Sequence, residues 1–520
     1  MQTQEMETPS VNCELALPRG NGGQSYGQIL KSSGLVGSSS LINVGFRILR
    51  TKVMALLLGP SGVGLLSLYS SISDMATIVS GMGLSSSGVR QIAEAVGTGN
   101  TKRIARTVTV LRRTALLVGA VGALLLVALC RPVSRATFGD DRHSGQVALL
   151  SLAVFFSTIT AAQTALVQGM RRIADLARLS VLGALFGTVF SITIVYFFGQ
   201  QGLVPSLVCV AAMGIATSWW YARKTRVERA MIAWSQVRQE ASELLKLGLA
   251  MMGGAMLNVL AAYLIRIVIR LDAGMAAIGF YQAAWVLGGF YVDFILQAMA
   301  ADFYPRLTAV ARHDPECNRL VNEQTEVGFL IAGPGLLATL TFAPLVISLL
   351  YSAKFQPAVG IFRWICLGMM LRVVTWPMGF IQLAKGRRKL FLGLQFVASA
   401  LNVGLVLICL KLFGLVGAGV AFFLLCLTHL NIVHWAARQL SGFRWSSINR
   451  RLGVLFALLT AAVFISWYLL PFHLSMLFGG LITLIAGTYS LKRLFSLVPL
   501  QRFPPVLQRI AVNLRLARAG

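Results

Sequence analysis

Arg47, Arg50, Lys52, Arg266, Arg363 and Arg372 stand inside stretches that are otherwise apolar enough to cross a bilayer. A Lys or Arg at a bilayer centre costs about 2.5 to 3.5 kcal/mol, so six of them facing lipid would cost on the order of 15 to 20 kcal/mol. Such side chains belong against protein or water, and a membrane-embedded group of them is equipped to hold an anion. Arg47 and Arg50 are three residues apart and share a helix face, Lys52 is turned away by about 140° from Arg47, and Arg266 and Arg270 are one turn apart. Arginine's planar fork meets two phosphate oxygens at once, and a low-dielectric cavity strengthens that contact. The expected clamp for a diphosphate is Arg47, Arg50, Lys52, Arg266 and Arg270; the alternative for Arg270, and with it Lys52 and Arg266, is to snorkel to the outer interface.

Asp74 and Asp293 are the carboxylates nearest to mid-membrane. An intramembrane Asp pairs, protonates or binds a cation, so each is a candidate either for a salt bridge to a cavity arginine or for proton or sodium coupling. Arg363 and Arg372, nine residues apart, point to opposite faces of one helix and do not reach the same ligand atom. They are secondary candidates, as are Asn43 and Asn258, whose amides suit sugar hydroxyls or hydrogen bonds between helices. No catalytic group, metal site or cofactor is expected, and the 7 cysteines form no CxxC.

The elements that position these residues follow from composition. The chain has 520 residues, 56% hydrophobic and only 12% charged, with a mean hydropathy of +0.73. That is too apolar for one soluble core, and apolar runs of about 20 residues point to helices, not barrel strands. The expected fold is an all-α polytopic membrane protein with about 14 transmembrane helices. The net charge of +28 is clustered: Lys102, Arg103, Arg106, Arg112 and Arg113, then Lys385, Arg387, Arg388 and Lys389, then the stretch from Lys492 to Arg518. Clustering in loops marks cytoplasmic segments, so both termini are expected in the cytoplasm, and nucleic acid is not an expected partner.

A shift of 215 positions pairs Asn43 with Asn258, Val44 with Val259, Leu49 with Leu264, Val53 with Val268, Gly59 with Gly274 and Gly64 with Gly279. An internal repeat holding an even number of spans gives two parallel lobes of six helices, followed by two C-terminal helices. The expected organisation is a disordered cytoplasmic tail at 1–27, lobes at 28–222 and 244–438, an interlobe linker at 223–243, two extra helices within 439–492 and a basic cytoplasmic tail at 493–520. Short connections leave little room for a soluble catalytic domain, so the protein is not expected to be an enzyme.

The run Leu57-Leu58-Gly59-Pro60-Ser61-Gly62-Val63-Gly64-Leu65-Leu66-Ser67-Leu68-Tyr69, then Gly81-Met82-Gly83-Leu84 and Gly88-Val89-Arg90-Gln91-Ile92-Ala93-Glu94, resembles the N-terminal signature of Wzx-type O-antigen and polysaccharide flippases. Phe303-Tyr304-Pro305-Arg306-Leu307 is similar to that family's aromatic-Pro-Arg-Leu pattern, and Arg90 and Arg306 join the secondary candidates on this ground. The resemblance implies the multidrug/oligosaccharidyl-lipid/polysaccharide (MOP) superfamily, in the bacterial inner membrane. It also implies a partner, an oligosaccharide on undecaprenyl diphosphate turned from the cytoplasmic to the periplasmic leaflet for O-antigen or exopolysaccharide assembly, beside the polymerase and chain-length machinery. A lipid II flippase, a drug-cation antiporter of the same superfamily and a membrane-embedded polymerase or ligase are the alternatives.

Overall fold

With no water inside a bilayer, a spanning segment must satisfy its own backbone, and among the described residues every regular element is helical. The computed structural model describes residues 22–225, 227 and 232–497. Its helices are α1 (Gly22–Gly81), α2 (Leu84–Gly97), α3 (Thr101–Ala128), α4 (Cys130–Phe138), α5 (Ser144–Gly169), α6 (Ile173–Phe198), α7 (Leu203–Arg223) and α8 (Trp234–Ala309). The chain continues through α9 (Asp314–Thr341), α10 (Ala343–Leu350), α11 (Ala358–Ala384), α12 (Arg388–Phe413), α13 (Gly417–Ser441), α14 (Ser447–Leu469) and α15 (Phe472–Leu497).

Among the described residues, 9 helical stretches are long and apolar enough to cross a membrane, or 10 when α9 and α10, bent by 79°, count as one broken span. Four of the stretches run for 40, 51, 47 and 53 residues, each about two crossings long. The expectation of fourteen counted the limbs of these stretches separately. Each holds a positive-φ glycine where the helix breaks: Gly59 (φ 64°), Gly199 (φ 55°), Gly274 (φ 84°) and Gly414 (φ 58°).

Those breaks draw the repeat in the backbone. Gly59 and Gly274 are 215 positions apart and have ψ of −173° and −176°, while Gly199 and Gly414, also 215 apart, have ψ of −134° and −148°. A third pair at the same offset, Arg171 (φ 55°) and Gly386 (φ 70°), ends a helix with one hydrogen-bond pattern. Arg171 and Arg172 donate their N–H groups to Gln168 O and Val167 O, and Gly386 and Arg387 donate theirs to Leu383 O and Gln382 O. The two lobes are thus alike in backbone even where their side chains differ.

Helices run into the three segments expected to be a tail, a linker and a second tail. α1 begins at Gly22, inside the expected tail, because extending a nucleated helix is easy; residues 1–21 lie outside the described residues. α8 begins at Trp234, inside the expected linker, and the ion pair of Glu240 with Arg106 ties its second turn to α3. α15 extends to Leu497, with Arg493 paired to Glu326 of α9 at 3.2 Å; residues 498–520 lie outside the described residues.

The lobes meet where α1 and α8 reverse. A Cβ on Gly64 would lie 2.3 Å from the Met275 carbonyl oxygen, and one on Gly279 would lie 2.0 Å from that of Pro60. No real side chain fits so close to backbone, so this repeat-paired glycine couple is required by helix approach. Gly83 and Gly248 touch in the same way nearer the basic face. Gly279→Val should therefore pry α8 from α1, at an overpacking cost of about 1 to 3 kcal/mol, read as a lower thermal midpoint of the purified protein; an unchanged midpoint would refute the contact.

Candidate functional site

The long α1 and α8 hairpins each fold back at a glycine, and their facing limbs enclose a cavity of about 360 Å³ lined by Arg47, Arg50, Asp74, Arg266 and Gln282. Ser67, Ser70 and Ser71 add hydroxyls, and Leu350 and Tyr351 complete the lining. Arg47 is exposed to this space, as its position on α1 predicts. The Arg50 guanidinium packs beside Gly187 of α6, with Nη1 at 3.6 Å from where a Cβ would stand, an ordinary van der Waals distance.

Arg266 is fixed from two sides. Its Nη1 donates to Ala262 O and its Nη2 to Gln282 Oε1, both at 2.8 Å, while Nε is buried without a partner. Arg266 and Gln282 stand eight residues before and after Gly274, so the reversal brings them level. Thr51 and Ser67 stand eight residues on either side of Gly59 and also line the cavity. The mirror spacing about each turn was the available signal for Gln282, which single-helix reasoning passed over.

Three guanidinium groups face one carboxylate, leaving the cavity two positive charges in surplus. Asp74 attracts Arg266 across the space without an ion-pair contact within 4 Å among the described residues. Arginine held by neutral groups keeps its full charge for an incoming anion. No group of three or more His, Cys, Asp or Glu able to hold a metal occurs among the described residues.

Other candidates lie elsewhere. Lys52 and Arg270 do not line the cavity; Lys52 Nζ donates to Ser348 O at 3.0 Å and Arg270 Nη1 to Phe138 O at 2.6 Å. Asp293 and Arg372 form a separate ion pair at 3.2 Å. Arg363 stacks on Trp467 at 3.8 Å from the ring centroid, a cation–π contact, so it and Arg372 do point to different partners. Asn43 donates to Ser180 Oγ at 2.7 Å, and Asn258 donates to Gly254 O at 3.0 Å while accepting from Gln395 at 2.9 Å. Arg90 pairs with Glu94 at 2.8 Å on an exposed helix face, and Arg306 is exposed in the last turn of α8.

With nine or ten span-length stretches among the described residues, a two-lobed backbone and a cationic cavity between the lobes, the protein is a multi-pass helical membrane protein. The solved inward-facing conformation of a multidrug resistance MATE family transporter of the MOP superfamily superposes with a TM-score of 0.66 at 15% identity, over 76% of this chain and 95% of that one. The lipid II flippase MurJ, in an inward closed conformation, superposes with a TM-score of 0.65 at 11% identity, over 90% and 100%. In sequence the chain is 21% identical over 369 residues to the lipid III flippase of Escherichia coli (strain K12), covering 70% of this chain and 87% of that protein. The lipid III flippase of Shigella flexneri matches to the same extent.

The polysaccharide biosynthesis protein family model matches residues 53–360, more than half of the chain, and the protein belongs to that family. This agrees with the resemblance carried by the run from Leu57 to Glu94.

The Asp293–Arg372 pair has a direct test. Both side chains are part-exposed, at 45% and 39%, so solvent screening reduces the coupling to about 1 kcal/mol. Asp293→Asn and Arg372→Gln should each lower thermal stability, and the double variant should recover part of the loss. Additive losses in that cycle would show that the pair contributes nothing.

Proposed function

We propose that the protein is a flippase that carries an oligosaccharide linked to undecaprenyl diphosphate from the cytoplasmic to the periplasmic leaflet of a bacterial inner membrane, for surface polysaccharide assembly. The observation that carries this reading is the convergence of Arg47, Arg50 and Arg266, from both lobes, on a cavity with one carboxylate. A diphosphate diester bears two negative charges, and the surplus of two positive charges matches it. A lipid-linked substrate also needs no soluble route, since its tail stays in the bilayer while its polar head enters between the lobes.

In this reading Arg47 and Arg50 grip the diphosphate from lobe one and Arg266, oriented by Gln282, grips it from lobe two. Cation–phosphate contacts across the gap pull the lobes together around the head group, and rocking about the bound charge presents it to the other leaflet. The cavity serines and Thr51 offer neutral groups to the sugar. Asp74, facing Arg266 across the cavity, is the carboxylate placed to exchange a proton or sodium ion as substrate comes and goes, with Asp293 as the alternative. The clustering of Lys and Arg in loops supports a topology with both termini in the cytoplasm.

A drug-cation antiporter fits poorly, because an organic cation would meet three guanidiniums and one acid. The lipid II reading shares the diphosphate and differs only in glycan, so the test must identify the trapped lipid. Deletion of the gene should leave an undecaprenyl-diphosphate oligosaccharide on the cytoplasmic leaflet; accumulation of a peptidoglycan precursor would favour the lipid II reading. Arg47→Ala/Arg50→Ala should reduce export by at least about tenfold at normal membrane abundance. Full export by that variant would remove the diphosphate clamp.

A further inference from the structure

Lys52 and Arg270, the two expected clamp residues that lie outside the cavity, reach across between the lobes in opposite senses. Lys52 on α1 donates to the carbonyl of Ser348 in the last turn of α10. Arg270 on α8 donates to the carbonyl of Phe138, the last residue of α4. α4 and α10 are counterparts, short helices of 9 and 8 residues that follow α3 and α9 at the face where Gly59 and Gly274 turn the chain. The last carbonyls of a helix lack an intrahelical donor and carry the negative end of its dipole, so a cation is their natural partner.

Each end is built to receive its cation. Tyr263, seven residues before Arg270 on the same face of α8, joins its hydroxyl to Thr137 Oγ1 of α4 at 2.5 Å. Gly139 ends α4 with φ 85°, and a Cβ there would lie 3.2 Å from Arg270 Nη1, so the missing side chain leaves the guanidinium its approach. At the other end Gln356 holds the Ser348 hydroxyl at 2.6 Å. Arg270 is part-buried, and the acceptor that the structure gives its guanidinium is Phe138 O.

We infer that Lys52 and Arg270 form a two-way latch that holds the lobes shut at the Gly59/Gly274 face. Packing of Gly64 against Gly279 brings the lobes together there but is non-directional; the two crossed donors fix their register. Among the described residues neither cation has a carboxylate partner, and when the lobes part, both the cations and the carbonyls meet water that satisfies them again. Such a contact closes the face without trapping it. The latch is independent of what the cavity holds, so it stands or falls apart from the proposed substrate.

The test is an interlobe distance measurement on the whole purified protein in nanodiscs, with native cysteines replaced. Spin labels at Arg142→Cys and Lys354→Cys report the two lobes on this face, where both positions are exposed. Lys52→Gln/Arg270→Gln should raise the longer-distance population about tenfold relative to the parent, and Lys52→Arg or Arg270→Lys, which keep a donor, should not. The single variants Lys52→Gln and Arg270→Gln should each reproduce about half of the effect, and they carry the same reading should the double variant fail to fold. Parent-like distances in variants that still melt cooperatively would overturn the latch, as would a shift produced equally by Arg135→Gln, which removes an exposed ion pair to Asp141 on the same face.

Discussion

The expense of positive charge in hydrocarbon governs the rest of this structure. Each cation within a span must be covered by protein or open to a water-filled space, and the kind of cover decides what the residue can do. Arg372 has a carboxylate and Arg363 an indole ring, so both charges are largely answered within the second lobe and the C-terminal helices. Arg266 has an amide oxygen and a carbonyl, which orient it and leave its charge intact. Arg47 faces open space. The ranking of partners, from carboxylate to nothing, is therefore also a ranking of availability to an anion.

Helical hairpins turn that constraint into a site. α1 and α8 each fold back at a left-handed glycine, so residues equidistant from the turn come level on neighbouring limbs. Thr51 with Ser67 and Arg266 with Gln282 are placed by this rule, and all four line one cavity. The tight approach of Gly64 to Gly279 then decides how near the two hairpins stand. A bulkier residue at either glycine would clash with backbone of the other hairpin and force the two apart.

Much of this was legible from residue types and spacing. The membrane class followed from composition, the two-lobed backbone from identities at a fixed offset, and Arg47, Arg50, Asp74 and Arg266 from charge in apolar runs. Three things were not. Helical periodicity assigns a residue to a face of its own helix but is silent on which helix end lies opposite, so Lys52 and Arg270 looked like cavity residues and are held on carbonyls of the other lobe. Gln282 is one neutral amide among several, and its role depends on the Gly274 turn. The limits of the tail and linker were drawn from polarity, whereas helices run through polar residues once an apolar limb or an ion pair such as Arg106–Glu240 anchors them.

The repeat is kept in some features and lost in others, and the division follows function. Turn glycines and helix-ending hydrogen bonds recur at 215 positions, because both lobes need the same reversals to build the same bundle. Cavity side chains do not recur: Arg50 aligns with Ile265, Arg266 with Thr51 and Asp74 with Gly289. In the proposed function a single anion sits between the lobes, and one ligand has no need of two identical half-sites. The crossed donors at the Gly59/Gly274 face fall between these cases. Lys52 aligns with Ile267 and Arg270 with Ala55, so the donors stand about one turn apart in the repeat frame, yet each ends on the same kind of acceptor. A carbonyl at a helix terminus is backbone and survives any substitution that keeps the helix, so the acceptor persists while the position of the cation drifts. An arrangement that depends on backbone on one side can retain its function where the side chains of the two lobes have diverged.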